Sequence, residues 1–277
     1  MRPFSETTEI FPMSELIQTR KDVPSGTIIL NRPERKNALN RAMISELQQA
    51  FDDFLQERTV KAVILTGSGD IFSAGADLQE INDTAQTAEF FQTWFDESQQ
   101  LKTLIETILR FPKPIITAIN GPVMGTGLAL MLATDIVVAS DSASIEFPES
   151  RRGLSSGMTT PLMSFRIGTG VASRVLLSGQ SIEASAAGGL NLFHETVPSD
   201  FVWARCQELA TACAKGARES HQLTKQMINE TIGETMLTQL SVGAANTAAA
   251  RTTGAAKEGI AAFLEKREPD WDSMSQT

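Results

Sequence analysis

Residues 115–139 read IITAINGPVMGTGLALMLATDIVVA. Ile115–Ile119 is a short apolar run rich in β-branched residues. It ends at the turn-forming Asn120-Gly121-Pro122, and an apolar helical run then leads to Ala133 and on to a second run at 136–139. Short apolar runs bounded by turn residues are how strands buried on both faces of a parallel sheet read. Upstream, residues 27–30 and 62–66 repeat the pattern. Helical periodicity alternates with these runs. In residues 40–58 the apolar positions are Met43, Ile44, Leu47, Phe51, Phe54 and Leu55, and in 88–110 they are Phe91, Trp94, Phe95, Leu101, Leu104, Ile105 and Ile108. Both sets follow a 3.6-residue period. Strand–helix alternation predicts an α/β fold. Past residue 200 the strand signals stop. Residues 201–215, 221–230 and a long alanine-rich stretch to Lys266 read as helices, which either pack on their own domain or build an oligomer interface. No internal repeat or low-complexity segment is visible.

The chain has 277 residues, 42% hydrophobic and 21% charged. That suits one large domain, or one with a smaller appendage, and excludes disorder over most of the length. A net charge of −9 argues against general nucleic-acid binding and against docking on anionic lipid. The N-terminus lacks a secretory pattern, and no apolar run approaches the ~20 residues of a membrane span. A cytoplasmic protein is therefore expected, and the sequons at Asn82 and Asn229 carry no meaning. Cys206 and Cys213 lie two helical turns apart, about 10 Å, too far for a disulfide. With only His194 and His221 besides, a structural zinc site is not expected.

Simple catalytic motifs fail on inspection. Gly153-Leu154-Ser155-Ser156-Gly157 matches the G-x-S-x-G pattern of a hydrolase elbow, but that elbow needs a strand before it and a histidine base. The preceding Pro148-Glu149-Ser150-Arg151-Arg152 is no strand, so these serines read as loop or capping residues. Gly125-Thr126-Gly127 lacks the third glycine of a dinucleotide fingerprint. Two turns carry more weight: Ile71-Phe72-Ser73-Ala74-Gly75-Ala76-Asp77-Leu78, and the turn at 120–128. Each puts small residues where the chain leaves a buried strand, so main chain can approach a ligand closely. N–H groups opening a helix are unpaired, and two of them converging from two turns can hold one developing oxyanion.

These segments resemble the enoyl-CoA hydratase/isomerase (crotonase) superfamily, from about Leu16 to Trp271. The resemblance is carried by Leu30-Asn31-Arg32-Pro33 with Lys36-Asn37-Ala38-Leu39, by Phe72–Leu78, by Lys113–Gly121, by Gly125-Thr126-Gly127, by Ala133-Thr134-Asp135-Ile136, by Phe147-Pro148-Glu149, and by Glu258–Arg267. It implies a crotonase-like (ClpP/crotonase) spiral of ββα units with a C-terminal α-helical oligomerisation region. The divisions it implies are a flexible leader over 1–12, the core with the acyl-CoA site over 13–200, and a helical trimerisation region over 201–277. The implied substrate is a coenzyme A thioester, with no separate cofactor and no metal. The implied assembly is a homotrimer or hexamer.

The resemblance assigns the two oxyanion donors to the main-chain N–H groups of Ala76 and Thr126. Glycine is usual at the second position, but a peptide N–H does not depend on its side chain. Family hydratases carry two glutamates; here the first position is Ala129 and the second is Glu149. One carboxylate suffices to move a proton along an acyl chain, so Glu149 is expected as the single acid/base. Double-bond isomerisation is slightly favoured over hydration, and a non-catalytic acyl-CoA-binding member is the alternative. Substrate-binding positions carried over are Lys36, Ala38, Ala74, Ala76, Asp77, Leu78, Gly125, Phe263 and Lys266, while Gln79 replaces a lysine often found there. Asp77 is expected to cap the following helix. Asp135 and His194 read as structural, Glu146 as a reserve acid, His221 as solvent-facing, and Arg151 and Arg152 as a surface face.

Overall fold

Strands with no polar face must be covered on both sides, and this requirement organises the chain. The computed structural model describes residues 16–272, so the leader expected over 1–12 lies outside the described residues. Strand β1 (Ile17–Asp22) turns back into β2 (Ser25–Leu30), and α1 (Arg41–Gln56) leads to β3 (Ala62–Gly67). Helices α2 (Leu78–Thr84) and α3 (Phe90–Arg110) precede β4 (Ile115–Ile119), the short β5 (Val123–Met124), α4 (Gly125–Ala133), β6 (Ile136–Ser140) and β7 (Ser144–Glu146). Then come α5 (Thr159–Ile167), α6 (Thr169–Ser178), β8 (Ile182–Glu183), α7 (Ala184–Gly189) and β9 (Glu195–Val197). The C-terminal part is helical: α8 (Val202–Cys213), α9 (Arg218–Gln226), α10 (Glu234–Arg251) and α11 (Gly254–Leu264).

The main sheet has six strands in the order β1-β2-β3-β4-β6-β9. β1 is antiparallel to β2 and every other neighbour is parallel. All four apolar runs of the sequence are its central strands. Ile64 pairs with Ile116, and Ala118 with Val138. These side chains and Ala62 face α8, where Val202, Cys206 and Ala210 cover them. The alternate residues Val63, Leu65, Ile115, Ile119, Val137 and Ala139 enter the larger core with α1, α3 and α4. Period-two alternation thus feeds two layers, which is why these strands show no polar face. β5, β7 and β8 form a second, three-stranded sheet.

Helix α1 starts where Asn40 accepts a hydrogen bond from Met43 N at 2.8 Å, and it buries Met43, Ile44, Leu47, Phe51 and Phe54 as its periodicity predicts. In α3 the stripe is buried from Trp94 to Ile108, but Phe91 stays exposed beside Phe90, whose ring packs edge-on against Trp94. The alanine-rich stretch divides into α10 and α11 at Thr253, whose hydroxyl accepts from Ala256 N. Ala244, Ala248, Ala256 and Ala262 are buried within this chain, so these helices do pack on their own domain. α9 runs directly into a π-helical turn, Met227–Ile232. His221 is half-buried rather than solvent-facing, because its ring nitrogen bonds the Cys213 carbonyl at 3.0 Å. Among the described residues no helix is long and apolar enough to cross a membrane.

One buried ion pair ties the helical part to the sheet. Lys225 of α9 donates to Asp135 Oδ2 at 2.7 Å and to the carbonyls of Ile108 and Lys113. Asp135 also accepts from Ile115 N, which makes it structural, as its sequence position suggests. Breaking a buried pair leaves the remaining charge uncompensated. Lys225→Ala is therefore expected to cost about 3–5 kcal/mol of stability, read from the midpoint of chemical denaturation at constant slope.

Candidate active site

The site forms where two strands end. Beyond β3, residues 72–77 run between two neighbouring segments. On one side Ala74 N donates to Lys36 O, Leu39 N to Gly75 O, and Asp77 N to Leu39 O, all at 2.7–2.9 Å. On the other side Phe72 N donates to Pro122 O and Met124 N to Ser73 O, both at 3.0 Å. The Ser73 hydroxyl donates to Asn37 O and accepts from Gly75 N. The N–H groups of Ala74, Gly75 and Asp77 are thereby used. That of Ala76 has no partner among the described residues.

The second turn leaves a matching group. Thr126 is the second residue of α4, whose N-terminus carries no side-chain cap, so its N–H is one of the unpaired donors of a helix start. The two turns touch. Gly75 has φ +86° and Gly125 φ +55°, a region that L side chains enter only at a cost. A methyl on Gly75 would lie 3.0 Å from Met124 O and 3.2 Å from Thr126 N; one on Gly125 would lie 3.2 Å from Glu149 Oε1. Glycine at both positions lets residue 76, residue 126 and the Glu149 carboxylate meet.

All three line one cavity of about 60 Å³, together with Ala74, Leu78 and Gly125. Glu149 follows Pro148 after β7, and its carbonyl accepts from Arg152 N and Leu154 N, which fixes the loop. Burial pushes its carboxyl above the usual value, while its own main-chain N–H, the Arg152 charge and the Ser156 hydroxyl pull weakly the other way. No ion-pair partner touches it among the described residues. Arg152 is not on a surface face as expected: it lines the cavity, and its guanidinium stacks 4.2 Å over the Phe263 ring. Its position follows from α11, which packs against Ser150–Arg152. Arg151 does turn away, donating to Gly179 O.

The other expected positions divide. Ala38 is buried and its carbonyl accepts from Arg32. Asp77 caps α2 by accepting from Gln79 N and Glu80 N, and it pairs with Arg32 at 2.5 Å, so its side chain is committed to structure. Lys36 and Lys266 are exposed, each with a left-handed main chain, and Phe263 is half-exposed beneath Arg152. Ala129 is fully buried in α4 and is absent from the cavity wall. Ser155 lines the cavity, but a 3-10 turn rather than a strand precedes it and no histidine lines the wall, so no hydrolase elbow exists. His194 accepts from Val137 N at 2.9 Å and is structural.

Two further wall residues, Glu97 and Arg251, escape the sequence reading. The signal for both is a charge on an apolar stripe. Glu97 falls between Trp94 and Leu101, and Arg251 three residues past Ala248.

A sequence model described as enoyl-CoA hydratase/isomerase matches residues 25–274. The chain belongs to this family. It is 32% identical over 260 residues to the 2,3-dehydroadipyl-CoA hydratase of Escherichia coli K12, covering 94% of this chain and 99% of that one. It is 30% identical, with the same coverage, to the 1,2-epoxyphenylacetyl-CoA isomerase of the same organism. The solved enoyl-CoA hydratase/isomerase from Pseudoalteromonas atlantica superposes with a TM-score of 0.80 at 28% identity, covering 92% of this chain and 99% of that one. The fold is therefore crotonase-like and the protein is an enzyme of the hydratase/isomerase type.

Gly75→Ala tests the contact between the turns. Strain at a left-handed position costs roughly 1–2 kcal/mol, and the methyl also presses on Met124 O and Thr126 N. A stability loss of at least that size is expected in denaturant unfolding.

Proposed function

We propose that this enzyme acts on an acyl-CoA thioester through an enolate. The N–H groups of Ala76 and Thr126 receive the thioester oxygen, and Glu149 moves the proton. The observation that carries the reading is the meeting of two unpartnered main-chain donors and one unpaired, buried carboxylate in a single cavity. Removing a proton beside a thioester puts negative charge on its oxygen. Fixed donors in a dry site stabilise that charge without reorganising, and losing one such donor typically costs about 2.7–4 kcal/mol of barrier. Desolvation raises the basicity of Glu149 toward the working pH, which suits a group that takes a proton and returns it.

The fuller reaction is a double-bond shift. Glu149 takes a proton from the carbon beside the thioester of a 3-enoyl chain, the electrons delocalise onto the thioester oxygen as a dienolate, and the proton returns two carbons further along, so that the double bond moves one position into conjugation. Isomerisation is favoured over hydration because residue 129 is alanine, where a second glutamate could hold water together with Glu149. Coenzyme A is part of the substrate. Lys36 and Lys266, both exposed, are proposed to meet its phosphates, and Phe263 its adenine. Exposed Leu223, Met227, Ile232 and Val242 on the C-terminal helices suit burial against other copies in a trimer or hexamer.

Glu149→Gln is expected to lower kcat at least 10²-fold on every accepted enoyl-CoA, followed by the thioester absorbance and by deuterium uptake from D₂O. Full turnover by this variant would refute the assignment.

The pH dependence has a definite sign. The base works ionised, so kcat/KM should fall as pH drops through a value above that of an ordinary glutamate. Stability runs the opposite way. A carboxyl whose folded pKa is raised stabilises the fold below its unfolded pKa, and that contribution is lost as pH rises through the folded pKa. The Glu149→Gln enzyme should therefore melt above the wild type at pH 7.5, with the gap closing toward pH 5.

A further inference from the structure

A buried charge pair faces the same cavity from the helices. Glu97 of α3 and Arg251 at the end of α10 bond through Oε1 and Nη2 at 2.8 Å, with side chains only 7% and 6% exposed. That contact uses one oxygen and one nitrogen. Glu97 Oε2 and Arg251 Nη1 are buried without a hydrogen-bond partner. Both residues line the cavity that holds Ala76, Thr126 and Glu149.

Such unmade bonds are costly on charged groups. In the Lys225–Asp135 pair the cation is fully used: Lys225 spends its donors on Asp135 and two carbonyls. The Glu97–Arg251 pair is neutral as a unit and keeps one unused acceptor and one unused donor. A carboxylate entering here would meet the Glu97 charge, and an ammonium would meet Arg251. A bare hydrocarbon would leave both groups unmade. A hydroxyl satisfies both, since it donates to Oε2 and accepts from Nη1. Ile81 and Leu101 provide apolar wall around it. Thr247 also lines the cavity; its hydroxyl donates to Gly243 O at 2.9 Å and keeps lone pairs for a further donor.

We propose that the substrate's acyl group carries a hydroxyl and that Glu97 and Arg251 receive it. This rests on the acyl-CoA reading above and adds the class of acyl group to it.

The test separates binding from turnover. Unreactive thioether analogues of acyl-CoA are titrated calorimetrically: a plain chain, the same chain hydroxylated singly at carbons 4 to 8, and one ending in a carboxylate. One hydroxylated analogue is expected to bind at least about tenfold tighter than the plain chain, with the carboxylate no tighter than plain. Glu97→Gln should reduce that preference. Glu97→Leu/Arg251→Met replaces the pair by apolar groups of similar volume, which buried pairs often tolerate, and should abolish it. Equal binding of plain and hydroxylated chains overturns the proposal, as does preference for the carboxylate. So does a double variant that loses affinity equally for all analogues, the result of a merely structural pair. Turnover of the matching enoyl thioesters is measured alongside. A hydroxyl preference without any turnover would sink the catalytic reading and leave this inference standing, whereas turnover without preference would do the reverse. Binding of no analogue would sink both.

Discussion

The contact between the turn at Gly75 and the turn at Gly125 is the constraint on which the rest of the site depends. Residues 72–77 act as a short middle strand, held by main-chain bonds to 36–39 on one side and to 122–124 on the other. A middle strand should have every N–H used. Here the N–H of Ala76 has no partner among the described residues, and it lies by the open start of α4. Neither donor results from a particular side chain. Both result from where strands end and a helix begins, which is why Thr126 can stand where glycine is usual. What the site requires of side chains is mainly that they be absent: a Cβ at 75 or 125 would fill the space the three groups share.

Burial acts differently on the charged groups gathered around this frame. Lys225 uses its donors on Asp135 and two carbonyls, and Asp135 Oδ2 also accepts from Ile115 N, which fastens the helical part to the sheet. Glu97 and Arg251 are engaged only in part. Glu149 has no ion-pair contact, and desolvation raises its pKa. Arg152 stands close enough to moderate that shift, and its guanidinium stacks on Phe263 of the last helix. An uncovered carboxylate is poorly suited to stabilising a fold. It is well suited to accepting a proton.

The central strands and the helices α1 and α3 were legible because each carries its period in consecutive residues. The strand runs lacked a polar face, and the two layers reported by Ile64 and Val63 explain that absence. Much else was not legible. Helices α5 and α6 follow a loop with no strong apolar stripe, and β5, β7 and β8 hold only two or three residues each. Within the site, the two turns could be read from small residues at the ends of buried runs, whereas Ala76, Thr126 and Glu149 as a set came only from the family resemblance, because the groups around Glu149 lie elsewhere in the chain. Arg152 was misjudged because its environment comes from Phe263, far along the chain. Glu97 and Arg251, 154 residues apart, were missed for the same reason, although each interrupts an apolar stripe, and a charge in that position has to find its partner within the fold.

The two carboxylates of the cavity can be ranked by what already holds them. Proton transfer needs a group whose charge is free to change during the reaction. Glu97 faces a guanidinium in direct contact, so neutralising it would strand a buried Arg251 charge. Glu149 has no ion-pair partner to strand when it is neutralised, only the Ser156 hydroxyl and its own N–H, and its loop is fixed by main-chain bonds to its carbonyl. The cavity is thus left with one carboxylate suited to changing its charge and another suited to keeping it. That division follows from pairing and burial alone, and it matches a proton-moving role for the first and a recognition role for the second.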